Sequence, residues 1–234
     1  MATESKAWDQ KFIELVNSGI FPGVLHRMNI HGYSRTGKST LIRKMLGGEQ
    51  ITFHQGMPLD DLLGGYTLVD GRTVWADGPA VRALRNGTCL HIDEANEVPI
   101  ECQTLYYALL DDPAGVTLPT GERVEAKAGY CVVTTMNPSP EVFPHPVYDR
   151  FDIYLKADTL SAGTRKALGR YADNAEAVIS FNQPKLNWSR PASVNAFLAA
   201  SKLLTHGCQL EVIANVLGWE GKQAIDFVIA STNK

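Results

Sequence analysis

Trp8, Phe12, Leu15 and Val16 recur at helical spacing near the start of the chain, and the pattern stops at Gly19 and Pro22-Gly23. From residue 24 to about 157, short apolar runs alternate with helical patterns. Strands are predicted over 24–30, 51–54, 88–93, 130–135 and 152–156, and their near-continuous apolar character suits strands covered on both faces. Between them a helix is predicted over 38–46, stopped by Gly47-Gly48. Another is predicted over 79–86, with Pro79 in its first turn and Gly87 just past its end. A third should follow Pro99, with Leu105, Leu109 and Leu110 facing inward. Such alternation is the mark of a parallel α/β sheet.

Two segments interrupt it. Residues 57–77 (MPLDDLLGGYTLVDGRTVWAD) are rich in Gly and Asp and read as an inserted element; residues 116–127 read as a hairpin around Thr120-Gly121. Beyond residue 158 only helical patterns remain. Val194, Phe197, Leu198 and Ser201 line a helix running from near Ser189 to Gly207, and Leu210, Ile213, Ala214 and Leu217 line another. The expected organisation is an N-terminal helical segment (1–23), an α/β core (24–157) and a small helical lid (158–234).

Composition narrows the class without naming it. The 234 residues are 44% hydrophobic and 20% charged, enough for a sizeable core. A net charge of −3 argues against a basic nucleic-acid coat or a polybasic membrane anchor. No apolar run approaches the ~18 residues of a spanning helix. The opening MATESKAWDQ is polar, so no secretory signal is expected. Cys89, Cys102, Cys131 and Cys208 lie far apart without C-x-x-C pairing, which predicts reduced thiols packed as small hydrophobes and a cytoplasmic chain.

The chemistry concentrates at the ends of the predicted strands. Gly32-Tyr33-Ser34-Arg35-Thr36-Gly37-Lys38-Ser39 matches G-x-x-x-x-G-K-[ST] in full and stands between a strand and a helix, the context a phosphate loop requires. Backbone N–H groups of such a loop point at phosphate oxygens, and the helix terminus adds a favourable dipole. Lys38 would neutralise the β- and γ-phosphates, and Ser39 would bind Mg²⁺. Asp93 and Glu94 end the third predicted strand. One carboxylate can serve a Mg²⁺ shell and the other can polarise a water, although such a pair can equally form a solvated turn. Asn137 closes the next strand, where open α/β sheets bind ligands; an Asn before Pro is also a common turn former. Arg150 is either an arginine finger for a neighbouring subunit's nucleotide or a surface Arg paired with Asp149 or Asp152. Spacing alone does not choose. His91, inside a strand, reads as a packed core residue, and His54-Gln55 follow the second strand.

The ordered set GYSRTGKST, LHIDEAN, VVTTMNP and YDRFDI resembles the AAA+ superfamily. DGPAVRALRNGTCLHIDEANEVPIECQTLYYALLDD is similar in detail to its MoxR and dynein-related branch, which includes the ATPase subunits of cobalt and magnesium chelatases and Rubisco-activase-like proteins. The resemblance covers residues from about 24 to 205. It implies a P-loop NTPase three-layer α/β/α sandwich with a parallel five-stranded sheet and a helical lid. Residues Gly32, Tyr33, Ser34, Arg35, Thr36, Gly37, Lys38, Ser39 and Thr40 would bind ATP. Ser39 and Asp93 would organise Mg²⁺, Glu94 would act as catalytic carboxylate, Asn137 as sensor 1 and Arg150 as arginine finger. Arg190, in WSRPAS, falls where the lid carries its sensor 2 arginine. Residues 57–77 correspond to the helix-2 insert and 116–127 to the hairpin before sensor 1, both used by family members to touch partners. Tyr33 and Arg35 depart from the small residues or Pro usual in the loop.

The function so implied is ATP hydrolysis in a homo-oligomeric ring, expected as a hexamer, that remodels or activates a protein client or adaptor in the manner of a chaperone. Relatives act with proteins bearing a von Willebrand factor A domain. Alternatives are a nucleotide switch or scaffold without turnover, and a nucleic-acid remodeller. No membrane role is expected. GTP in place of ATP stays open, although no guanine-reading N-K-x-D occurs.

Overall fold

The computed structural model describes residues 7–169, 172, 173, 176 and 206–209. The first helix, α1 (Trp8–Asn17), is followed by a distorted turn, α2 (Ile20–Gly23). Strand β1 (Arg27–Gly32) leads through the Gly-rich loop into α3 (Lys38–Leu46) and β2 (Glu49–Thr52). Then come α4 (Leu59–Leu63), the hairpin β3 (Gly64–Val69) and β4 (Arg72–Asp77), α5 (Pro79–Asn86) and β5 (Cys89–Asp93). Two short 3₁₀ turns precede α6 (Gln103–Leu110), a second hairpin β6 (Gly115–Thr117) and β7 (Arg123–Glu125), and β8 (Cys131–Met136). A further 3₁₀ turn, α7 (His145–Tyr148), β9 (Ile153–Ala157) and α8 (Ala162–Leu168) complete the described elements.

Five strands form one parallel sheet in the order β2-β5-β8-β1-β9, flanked by helices. The central strands are apolar because both faces are covered: every residue of β8 is buried, as are four of the five in β5. One continuous core joins Leu90, Ile92 and Val132 of the sheet to Val81 and Leu84 of α5 and to Tyr106 and Leu109 of α6. Each fully buried Leu or Ile contributes about 1.5–3 kcal/mol. The amphipathic face of α5 supplies four buried side chains, and its ends follow the local signals, Pro at the first turn and Gly87 left-handed at φ 62. A Cβ at Gly87 would lie 2.2 Å from the carbonyl oxygen of Ala128, so only Gly allows the chain to close there.

The edges of the first two sheet strands differ from the sequence reading by two or three residues, and those of the other three by at most one. The first strand starts at Arg27 rather than Val24, which is 70% exposed after the α2 turn. Asp152 fixes that start: one carboxylate oxygen accepts the amides of His26 (3.0 Å) and Arg27 (2.9 Å), and the other accepts Arg27 Nη2 at 2.8 Å. Burial pushes the Asp152 carboxyl up, but the Arg27 and backbone hydrogen bonds outweigh it and leave it below its usual range. The second strand is Glu49–Thr52, and the ladder continues by Phe53 N–H to Asp93 O at 2.9 Å. Segment 57–77 is the short helix α4 plus the β3–β4 hairpin. Cys89, Cys102 and Cys131 are buried free thiols and Cys208 is half-buried. Residues 189–205 and 210–217, including Arg190, lie outside the described residues.

Contacts divide the chain into two units. One comprises residues 10–32 and 38–156, the sheet with its helices; the other comprises 1–9, 33–37 and 157–234. In the second, the Trp8 indole donates to Thr159 O (2.9 Å), and Asp9 accepts the amide of Ala162 (2.8 Å). Ser161 caps α8 by accepting from Thr164 N–H.

Candidate functional site

The carboxyl ends of β1, β5 and β8 bring the charged and polar side chains of the larger unit together. Gly32 ends β1 at φ 134, and Lys38 opens α3. Lys38 Nζ donates to Gly32 O at 2.8 Å and to Asn137 Oδ1 at 3.4 Å. Asn137, just past β8, turns its Nδ2 to Glu94 Oε1 at 3.3 Å. The amide thus spans a cation and an anion, its oxygen toward the ammonium and its N–H₂ toward the carboxylate. Burial pulls the Lys38 pKa down to about 8 against the opposing pull of Asp93 and Glu94.

Ser39 and Asp93 form the second part. Ser39 Oγ donates to Asp93 Oδ2 at 3.2 Å, while Asp93 Oδ1 accepts from Thr135 Oγ1 (2.5 Å) and from the amide of Glu94 (3.1 Å). A hydroxyl beside a carboxylate is a hard-oxygen donor pair of the kind Mg²⁺ takes when phosphates complete its shell. Among the described residues no three His, Cys, Asp or Glu side chains converge on a metal position.

Backbone strain marks the same place. Glu94 is left-handed (φ 51, ψ 46), an uncommon conformation for a residue with a Cβ. Such strain costs on the order of 1–3 kcal/mol and gathers at functional sites. No residue pattern announces it.

Within the smaller unit the middle of the Gly-rich loop is held separately. Thr36 O accepts from Ser161 N–H (2.8 Å) and Thr164 Oγ1 (3.3 Å), and Thr36 Oγ1 donates to Tyr33 O (3.1 Å). Arg35 is left-handed at φ 65 and Gly37 sits at φ 101. A Cβ on Gly37 would meet Ser161 Oγ at 2.3 Å, so crowding and dihedral both demand Gly.

Arg150 lies away from these groups. Its Nε donates to Asp111 Oδ1 at 2.7 Å, Nη1 donates to Pro146 O, and its Cζ lies 5.2 Å from the Tyr107 ring centre. Neither partner expected from the sequence holds it: Asp149 pairs with His145 and Asp152 with Arg27. His54 is exposed and meets Gln55 O. His91 is a core residue as read, but it is hydrogen-bonded to Thr135 (2.9 Å), a partner the sequence reading gave no role. Asp111 and Tyr107 were likewise missed, because their meeting with Arg150 is set by tertiary structure alone. A cleft of about 180 Å³ beside His26, Arg27, Asp111 and Lys127 opens at the amino ends of the strands, the end opposite to where such sheets bind ligands.

A Gly-rich loop running from β1 into α3, a Lys at the helix start and paired carboxylates at the end of β5 define a P-loop nucleotide-binding protein. The model of the AAA domain (dynein-related subfamily) matches residues 30–151. The chain belongs to this MoxR-like, dynein-related branch of the AAA+ ATPases. It is similar to protein NorQ of Paracoccus denitrificans, 36% identical over 89 residues, 38% of this chain and 33% of NorQ. It is 29% identical over 115 residues to the denitrification regulatory protein NirQ of Stutzerimonas stutzeri, covering 47% of this chain and 42% of that one. The matches thus span well under half the length of these curated relatives. An uncharacterized protein of Staphylococcus haemolyticus is 27% identical over 207 residues, 75% of this chain and 77% of its own. Among solved structures, NtrX from Brucella abortus in complex with ATP has the same fold at a TM-score of 0.55, with 16% identity over 89% of this chain and 54% of NtrX. No helix among the described residues is long and apolar enough to cross a membrane.

Proposed function

We propose that the chain hydrolyses ATP with Mg²⁺ at the subunit interfaces of a homo-oligomeric ring and uses the cycle to remodel or activate a protein partner. The observation that carries this reading is the line Lys38–Asn137–Glu94 beside the Ser39–Asp93 pair. Lys38 offers positive charge to the β- and γ-phosphates. Ser39 and Asp93 would hold Mg²⁺, which supplies charge neutralisation along the phosphates when bound. Glu94 orients and deprotonates the attacking water, and Asn137 holds the carboxylate by its amide N–H₂. Arg150 would act on the nucleotide of an adjoining subunit, and Arg190 from the C-terminal region on its own.

The β3–β4 hairpin supports a protein client. Tyr66, Leu68, Val69 and Val74 are exposed, Leu68 at 72%, on an element rigidified by edge-to-face packing of Tyr66 on Trp75. By the strand register Tyr66 and Leu68 share one face of the hairpin and Val69 and Val74 the other, so apolar side chains are offered to a partner on both faces. NirQ is a denitrification regulatory protein, and activation of another protein is one way to meet such a role. A partner with a von Willebrand factor A domain fits that role.

Phosphate release from ATP at rising protein concentration tests the reading, with Glu94→Gln as control. Turnover that grows faster than concentration and disappears in the variant is expected. Equal rates in the two proteins would defeat the catalytic role and leave a nucleotide switch.

A further inference from the structure

His91 lies in β5 two residues before Asp93, side chain on the same face of the sheet, and is 2% exposed. Its Nε2 meets Thr135 Oγ1 of the neighbouring strand at 2.9 Å, and Thr135 Oγ1 meets Asp93 Oδ1. The direction of the chain follows from donor and acceptor chemistry. An ionised carboxylate only accepts, so the single Thr135 proton goes to Asp93. Thr135 oxygen must then accept from His91, which fixes the imidazole in the Nε2–H tautomer. Nδ1 is left as a buried lone pair with no hydrogen-bond partner among the described residues.

The consequence falls on Asp93. Oδ1 is taken up by Thr135 and by the Glu94 amide at 3.1 Å, which sets the carboxylate plane and leaves Oδ2 facing Ser39 at 3.2 Å. Without Thr135 held from behind, its hydroxyl could rotate, and Asp93 could turn Oδ2 away from Ser39. We propose that His91 is a positioning residue that acts through Thr135 to aim Asp93 at the cation bound with the nucleotide. This rests on the Mg²⁺–ATP reading above. The pattern is that of hydrogen-bond partners behind metal-binding side chains, whose loss weakens metal affinity by roughly 10–100-fold.

The test is a Mg²⁺ titration of fluorescent ATP-analogue binding to the full chain, with a parallel titration of the analogue in excess chelator. His91→Leu removes the N–H and keeps the volume. It should raise the Mg²⁺ midpoint about tenfold while leaving metal-free nucleotide binding unchanged. His91→Gln, which retains an N–H donor, should recover most of the loss. Thr135→Val should resemble His91→Leu, and the double variant should be no worse than either alone, since both cut one chain of contacts. Should His91→Leu fail to fold, His91→Met carries the same expectation. A folded His91→Leu with the wild-type Mg²⁺ midpoint overturns the inference and leaves the proposed function standing. A wild-type protein whose nucleotide binding ignores Mg²⁺ overturns both.

Discussion

Arg150 and Asp111 form an ion pair, Nε to Oδ1 at 2.7 Å, on the flank of α6. Half-exposed pairs of this sort contribute at most about 1 kcal/mol, so the pair orients the guanidinium more than it stabilises the fold. Tyr107, against which Arg150 also rests, adds to that orientation.

A finger and a surface ion pair therefore give opposite forecasts. Arg150→Ala should bind ATP normally, unfold within about 1 kcal/mol of wild type, and lose roughly 10³-fold or more in turnover. Asp111→Ala should cost far less activity, because it removes only an orienting contact. Normal turnover by Arg150→Ala, measured by phosphate release, would exclude a shared interface site.

Glu94 and Lys38 should separate chemistry from binding. Lys38→Ala should lose nucleotide binding outright in a fluorescence titration. Glu94→Gln keeps a side chain that Asn137 can still contact, so it should bind ATP yet turn over at least about 10²-fold more slowly. Nucleotide binding that survives Lys38→Ala would remove the ammonium from the phosphate site.

The lowered pKa of Lys38 makes binding depend on pH. The unfolded chain has its amine near 10.5 and the folded one near 8, so between these values the unfolded state holds more protons. This residue's contribution to stability accordingly rises with pH across that window. Triphosphate acts in the opposite sense, favouring the ammonium. Affinity should fall as pH climbs past about 8, and binding at that pH should take up a proton. Calorimetry in two buffers of different ionisation enthalpy measures the uptake. No uptake above about pH 8 would contradict the buried amine.

Gly37→Ala should lower both the unfolding midpoint and ATP affinity. The new methyl would sit 2.3 Å from Ser161 Oγ and 2.6 Å from Thr164 Oγ1, at a φ of +101 that disfavours any Cβ. A loss of at least about 1 kcal/mol is expected by chemical denaturation. Gly121→Ala, also at positive φ but with open space around it, controls for strain without crowding.

Much of this was readable along the chain. Apolar runs of strand length, Pro79 and Gly87 at the ends of α5, and the spacing of the Gly-Lys-Ser loop depend on near neighbours, and those rules are local. The order of Asp93, Glu94 and Asn137 at strand ends was readable for the same reason. The edge of the first strand was not, because a carboxylate 125 residues away, Asp152, decides where β1 begins. The left-handed backbone of Glu94, the choice of Asp111 as partner of Arg150, and the line from His91 through Thr135 to Asp93 were also invisible in sequence. Periodicity sorts residues into faces, but only folding decides which buried polar atom meets which, and most such atoms are paired with whatever partner the packed chain places beside them.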